Sequence, residues 1–201
     1  DTTESMLQAG PAEIPAVCGD AESLPFANRA FDLVFSNLML HWCPDLPRAL
    51  SECRRTLKHP GALCFATLGP DTLLELRAAW RDADAGGHVI PFIDMHDLGD
   101  LLVNCGFSEP VLDREVITVT YSGVRSLLDD LRSTGSVNAL TDRRRGLTGK
   151  RSWQRMVAAL ESARGEDGRF GVSVEVIYGQ AWSGPGGSDI GGRRLDVPVE
   201  V

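Results

Sequence analysis

Residues 31–68 read FDLVFSNLMLHWCPDLPRALSECRRTLKHPGALCFATL, and this stretch decides the fold class. Phe31 to Ser36 is a continuous apolar run, the composition of a strand buried in a sheet, and Asn37 closes it. Between Leu46 and Leu57 the apolar positions Leu46, Ala49, Leu50, Cys53 and Leu57 recur at three and four residues. That spacing predicts a helix with one stripe facing the sheet. His59-Pro60-Gly61 stops it, and Ala62 to Leu68 is again an apolar strand. Strand, helix, strand in so short a span is the unit from which α/β sheets covered by helices are built.

The pattern extends both ways. Upstream, Asp1 to Ala9 reads as a helix entered through Thr2, Thr3 and Glu4, and Pro15 to Cys18 as a short strand ending at Gly19-Asp20. Downstream, Asp71 to Trp80 reads as a helix, broken at Gly86-Gly87, and Asp97 to Cys105 as another, with Gly106 placed for a left-handed cap. Val111 to Tyr121 and Val172 to Trp182 have strand texture. The residues between them are helical in two pieces, Val124 to Thr134 and Ser152 to Arg164, so 122–171 reads as a helical insertion or lid. From Ser183 the chain is Gly-rich and poor in apolar residues, which predicts one domain over 1–182 and a flexible tail over 183–201.

With 20 basic and 28 acidic residues the net charge is -8, which argues against a general nucleic-acid or anionic-membrane binder. No run is long and apolar enough to span a bilayer, and the N-terminus lacks the features of a secretory signal. Five scattered cysteines without a C-x-x-C pair read as reduced, partly buried thiols, pointing to the cytoplasm. Local basic clusters remain, Arg54-Arg55 with Lys58 and Arg143-Arg144-Arg145 with Lys150-Arg151; each is either a solvated face or a landing patch for an acidic partner.

Ligands of open parallel sheets gather beyond the carboxyl ends of the strands, where loops converge and helix N-termini face the cleft. Three such ends are readable. Asp1 precedes a helix, where an acid either accepts from ribose hydroxyls or caps the helix. Asp20, in Gly19-Asp20-Ala21-Glu22, either accepts from an adenine amine or bonds the backbone of its own turn. Ser36-Asn37-Leu38, followed by Leu40-His41-Trp42, offers amide and backbone groups to a transfer site, or else supplies turn and core.

In order, the segments D-T-T-E-S-M-L, C-G-D-A-E-S-L-P-F, F-D-L-V-F-S-N-L-M-L-H-W and L-K-H-P-G-A-L resemble the class I S-adenosylmethionine-dependent methyltransferases. The resemblance implies a Rossmann-like sheet with helices on both faces and an antiparallel final strand. It implies S-adenosylmethionine as cofactor, held by Asp1, Thr2, Met6, Asp20, Ala21, Ser36 and Asn37. In that family the first strand and its Gly-rich loop stand upstream of the position of Asp1, so the chain is expected to lack them.

Further blocks narrow the likeness: Gly69 to Arg77 (G-P-D-T-L-L-E-L-R), Phe92 to Asp100 (F-I-D-M-H-D-L-G-D), G-F-S-E-P-V-L-D, Thr118 to Tyr121, Asp130 to Gly135 and Val176 to Trp182. Over 1–182 the chain resembles the malonyl-acyl-carrier-protein O-methyltransferases of biotin synthesis. Methyltransferase-like assembly factors of respiratory complex I, one of them reported as an arginine hydroxylase, share D-T-L-x-E-L-R and D-L-G; Asp94-Met95-His96-Asp97 favours the former. A non-catalytic scaffold is the third reading.

The first resemblance implies malonyl-acyl-carrier protein as partner, with Arg77, His88, Phe92 and His96 around the acyl group and Arg143, Arg144 and Arg145 receiving the carrier. The His88, His96, Asp94 and Asp97 spacing matches no common metal pattern, and none is expected. The sequence sets no oligomeric state.

Overall fold

The computed structural model describes residues 2–8, 15–84, 86–136, 146 and 148–184. After a short helix α1 (Glu4–Gln8), strand β1 (Phe31–Asn37), helix α2 (Leu46–Thr56) and strand β2 (Leu57–Leu68) form the expected parallel unit. Then come α3 (Leu74–Arg81), α4 (Met95–Asn104), β3 (Phe107–Tyr121), α5 (Val124–Ser133), α6 (Lys150–Ser162) and β4 (Phe170–Ser183). The sheet order is β1-β2-β4-β3, with β4 antiparallel to both neighbours.

Helix α2 forms where its residues direct it. The Asp45 carboxylate accepts from the Arg48 N–H at 3.1 Å, Pro47 sits in the first turn, and Ala49, Leu50 and Cys53 are buried. Burying a side chain such as Leu50 contributes about 1.5 to 3 kcal/mol. The helix ends before His59-Pro60-Gly61, because Leu57 is already extended and pairs with Phe31 of β1. A register shift then carries the pairing from Leu57 to Ala62.

Helices lie on both faces. On one, α2 and α4 cover Leu63 and Phe65 of β2 and Ile177 and Ala181 of β4. On the other, α3, α5 and α6 gather over Phe170 and Val172, which have the opposite alternation along β4. Between the latter helices and β1 the second face stays open, and Leu33, Phe35, Val111, Tyr178 and Trp182 are exposed on it.

Four expectations are corrected. Pro15 to Cys18 is not a strand: no described strand lies beside it to complete a ladder, and Val17 and Cys18 are exposed. Phe31 to Ser36 is a strand, yet Phe31, Leu33 and Phe35 face solvent while Val34 and Ser36 turn inward, because β1 ends the sheet order and has one face uncovered. Cys18 is therefore an exposed thiol. Ser183 is the last residue of β4 rather than the start of a tail; its hydroxyl donates to Lys58 O at 2.5 Å and accepts from Gly61 N–H at 3.0 Å. The rest of the expected tail, 185–201, lies outside the described residues.

The basic residues of α2 and the start of β2 are engaged internally. Arg54 donates to Gly106 O at 2.7 Å, Arg55 pairs with Glu52, and Lys58 pairs with Asp32 at 2.8 Å. Gly106 itself takes φ 84, the left-handed conformation its place after α4 requires.

Candidate active site

Two loops are fastened side by side at the start of α2. The turn after Gly19 is held by Glu22, whose carboxylate accepts from Asp45 N–H at 2.9 Å and whose carbonyl accepts from Arg48 Nε at 2.8 Å. Glu52 accepts from Leu24 N–H, and Arg55 donates to the carbonyls of Leu24 and Phe26, so the segment after the turn is stitched along the helix. The second loop leaves β1 at Asn37. Leu38 N–H still bonds Ala66 O at 2.8 Å, but Leu38 then adopts φ 50, a left-handed conformation unusual for a leucine, and the chain turns into a 3-10 turn over Leu40–Trp42.

Burial of Leu40 in the main core orients its neighbours in that turn. The His41 ring packs edge-on against Phe92 at 5.8 Å between centroids and lies 5.2 Å from Trp42. Among the described residues, His41 Nδ1 and Ser36 Oγ are buried without a hydrogen-bond partner. Burial lowers the His41 pKa to about 4, so the imidazole is uncharged at neutral pH. Cys43 is pushed up to about 11 by burial, with the Glu22 and Asp20 carboxylates adding to the shift, which places both acids in the field of this loop.

The expected cofactor residues fall as follows. Asp20 is exposed, and one carboxylate oxygen accepts from Glu22 N–H at 2.9 Å within its own turn. Ala21 is half-buried beside it, Asn37 is exposed at the end of β1, and Ser36 is buried. Thr2 is exposed just before α1. Asp1 and the Met6 side chain lie outside the described residues.

The four expected substrate residues are dispersed among four settings. Phe92 meets His41. Arg77 donates to Pro70 O at 3.0 Å and Thr72 O at 3.2 Å, holding the turn that leads into its own helix. His88 stacks on Trp80 at 3.7 Å and 8° while its Nε2 meets Asp84 Oδ1 at 2.8 Å, tying the loop after α3 to that helix. His96 is exposed on the first turn of α4, with Nδ1 2.9 Å from the Asp94 carboxylate that caps the helix. Arg143, Arg144 and Arg145 lie outside the described residues, whereas Lys150, Arg151 and Arg155 are exposed at the start of α6. Among the described residues no cluster of His, Cys, Asp and Glu could hold a metal ion, and no helix is long and apolar enough to cross a membrane.

Two carboxylates that the sequence reading gave no role fix the turn after β2. Glu175, 1% exposed, accepts from Asp71 N–H at 2.7 Å and pairs with Arg114 at 3.0 Å. Glu75 accepts from Ser173 N–H at 2.8 Å and from its hydroxyl at 2.6 Å. Together they bind the turn beyond the carboxyl end of β2 to β4. Glu75 stood inside the quoted Gly69 to Arg77 block, and Glu175 was a lone acid in an apolar strand.

The thiols provide a direct check of this arrangement. Burial pushes Cys43 and Cys53 up to about 11, where little thiolate exists at pH 8. In native protein Cys18 is expected to react first with a thiol reagent, and Cys53 only after denaturant is added. Loss of the fast phase in Cys18→Ser checks the assignment, and rapid labelling of Cys53 without denaturant contradicts the buried α2 face.

A family model described as a methyltransferase domain matches residues 1–65. The chain is 47% identical over 176 residues to the malonyl-[acyl-carrier protein] O-methyltransferase of Gallionella capsiferriformans, covering 88% of this chain and 60% of that protein. It is 43% identical over 202 residues to malonyl-[acyl-carrier protein] O-methyltransferase 1 of Coxiella burnetii, covering 100% of this chain and 70% of that protein. Both relatives are thus longer than the chain. The solved structure of the YcgJ protein of Bacillus subtilis superposes with a TM-score of 0.61 at 16% identity, over 92% of this chain and 81% of that one, and shares the fold. Identity at this level along the whole length, over the expected Rossmann-like sheet, makes the chain a member of the malonyl-[acyl-carrier protein] O-methyltransferase family of class I methyltransferases.

Proposed function

We propose that the protein transfers a methyl group from S-adenosylmethionine to the free carboxylate of a malonyl thioester carried on acyl-carrier protein, an early step of biotin synthesis. The observation that carries this reading is the 47% and 43% identity with relatives bearing that name, over most of this chain and 60% and 70% of theirs. The donor set suits such a cofactor: Asp20 and Ala21 on one fastened loop, and the unpartnered Ser36 hydroxyl with Asn37 on its neighbour. Thr2 and Met6, with Asp1, complete the proposed set on the α1 side. Bound there, S-adenosylmethionine supplies an electrophilic methyl group on a sulfonium centre.

A malonyl carboxylate is ionised at neutral pH, so the protein needs no general base for it. Its task is to align the nucleophile and exclude water; alignment of this kind lowers barriers by up to about 7 to 11 kcal/mol. The half-buried rings of His41 and Phe92 provide a wall for that purpose. Arg77, His88 and His96 act in this reading on the loops around the acyl group. The basic first turn of α6, with Arg143, Arg144 and Arg145 nearby in sequence, receives the acidic carrier.

The test is transfer of labelled methyl to malonyl, succinyl and acetyl carriers. Labelled methyl ester is expected on the malonyl carrier and only background on the acetyl carrier, which has no free carboxylate. Methylation of the acetyl carrier at the malonyl rate overturns the reading.

A further inference from the structure

The loop between β1 and α2 holds two buried polar atoms, Ser36 Oγ and His41 Nδ1, that no described residue satisfies. Each such group costs about 1 to 3 kcal/mol unless something bonds it, so two in one six-residue segment call for a ligand. Ser36 is 6% exposed and stands among the proposed cofactor residues. His41 lies five residues further on, beyond the strand end, with its ring against Phe92, which the loop after α3 contributes. In the functional reading above Phe92 borders the acyl group, so His41 falls on that side rather than on the nucleoside's.

Resting on the functional reading above, we propose that His41 is a substrate-recognition residue, whose Nδ1–H donates a hydrogen bond to the carboxylate of the acyl substrate while Phe92 holds the ring. Its neutrality suits the chemistry. Methyl transfer consumes the negative charge of the carboxylate, so a cationic partner would stabilise the ground state more than the transition state. A neutral donor orients one oxygen and leaves the other free to attack. The imidazole's lowered pKa, near 4, keeps it in that form. The same contact makes a free carboxylate the recognised feature, because an acyl group without one leaves Nδ1 unpaired.

The experiment compares wild type with His41→Phe, which keeps a ring against Phe92 and removes both nitrogens, and with His41→Gln, which restores an amide donor. KM and kcat for the malonyl carrier are measured alongside S-adenosylhomocysteine affinity by calorimetry and the melting temperature. His41→Phe is expected to lose at least tenfold in kcat/KM for the malonyl carrier, with cofactor affinity within twofold of wild type and an unchanged melting temperature. His41→Gln is expected to recover most of that loss.

Wild-type kcat/KM in His41→Phe overturns the assignment. So does equal impairment of the two variants, or a fall in cofactor affinity as large as the fall in kcat/KM. If His41→Phe melts early, the Gln variant decides the matter alone: near-wild-type kcat/KM sustains the donor role and a tenfold loss rejects it. Wild-type protein that methylates no malonyl carrier defeats the functional reading and this inference with it. Wild-type transfer that survives loss of the imidazole defeats His41 alone.

Discussion

Gly179→Val is expected to lower the melting temperature by roughly 5 to 10 °C. Gly179 sits opposite Phe65 in the β2–β4 ladder, and the ring lies across it: a Cβ at position 179 would stand 2.1 Å from Phe65 Cζ and 2.4 Å from Cε1. Phe65 is 3% exposed in the main core with Leu63, Ile177 and Ala181, so it has no free space into which to turn. Overpacking a well-filled core costs about 1 to 3 kcal/mol, occasionally more, and each kcal/mol moves the midpoint of a domain this size by about 2 to 4 °C. Shrinking the ring should relieve the clash, so Phe65→Leu in the Gly179→Val background should destabilise less than Phe65→Leu alone. Thermal unfolding of the four proteins in this cycle measures that coupling. Additive losses would show that the ring and the glycine do not meet as described.

Glu175→Ala is expected to destabilise by about 2 to 4 kcal/mol. The ion pair with Arg114 is the smaller part of this, because the Arg114 side chain is 51% exposed and is solvated when its partner is removed. The larger part is the Asp71 N–H, which loses a 2.7 Å charge-assisted bond, and the cavity left by a side chain that is 1% exposed. Gly69 is shaped around the same group, since a Cβ there would stand 2.5 Å from Glu175 Cδ. Glu175→Gln keeps an acceptor for Asp71 and should fall between wild type and Ala. Urea denaturation with a common m-value reads the series. A Glu175→Ala midpoint equal to that of wild type would falsify the role given to this carboxylate in fixing the Gly69–Leu73 turn.

Where one element follows its own periodicity, the sequence was readable. The Leu46–Leu57 stripe became α2, the run before Gly106 became α4, and the two late strands paired over nearly the span expected of them. Partnership across the chain was not readable. Pro15 to Cys18 has strand composition, but composition does not supply the neighbouring strand a ladder needs. Phe31 to Ser36 looked buried because apolar letters do not reveal that one face of β1 is left uncovered.

Among the site residues, Asp20 and Ala21 lie on a turn held by Glu22, Glu52 and Arg55, whose bonds span 23 to 31 residues and are invisible in local sequence. Arg77 and His88 were recognisable as polar residues suited to an acyl group. Their partners, the carbonyls of Pro70 and Thr72 and the Trp80 ring, depend on rotamers and turns that spacing does not specify. His41 was visible as a polar residue between Leu40 and Trp42; its ring contact with Phe92, fifty-one residues later, and its unpaired, buried Nδ1 were not.

Among the described residues the last strand, β4, lies inside the sheet between β2 and β3. During synthesis β2 and β3 emerge in turn with nothing to join them, and each waits for β4, which begins at Phe170. The main core cannot close earlier either, because Ile177 and Ala181 belong to it. A nascent chain of this topology therefore holds open strand edges until β4 has left the ribosome, the period in which chaperones are most needed. Contacts between residues more than a hundred positions apart in β2 and β4 also place its folding among the slower, high contact-order cases.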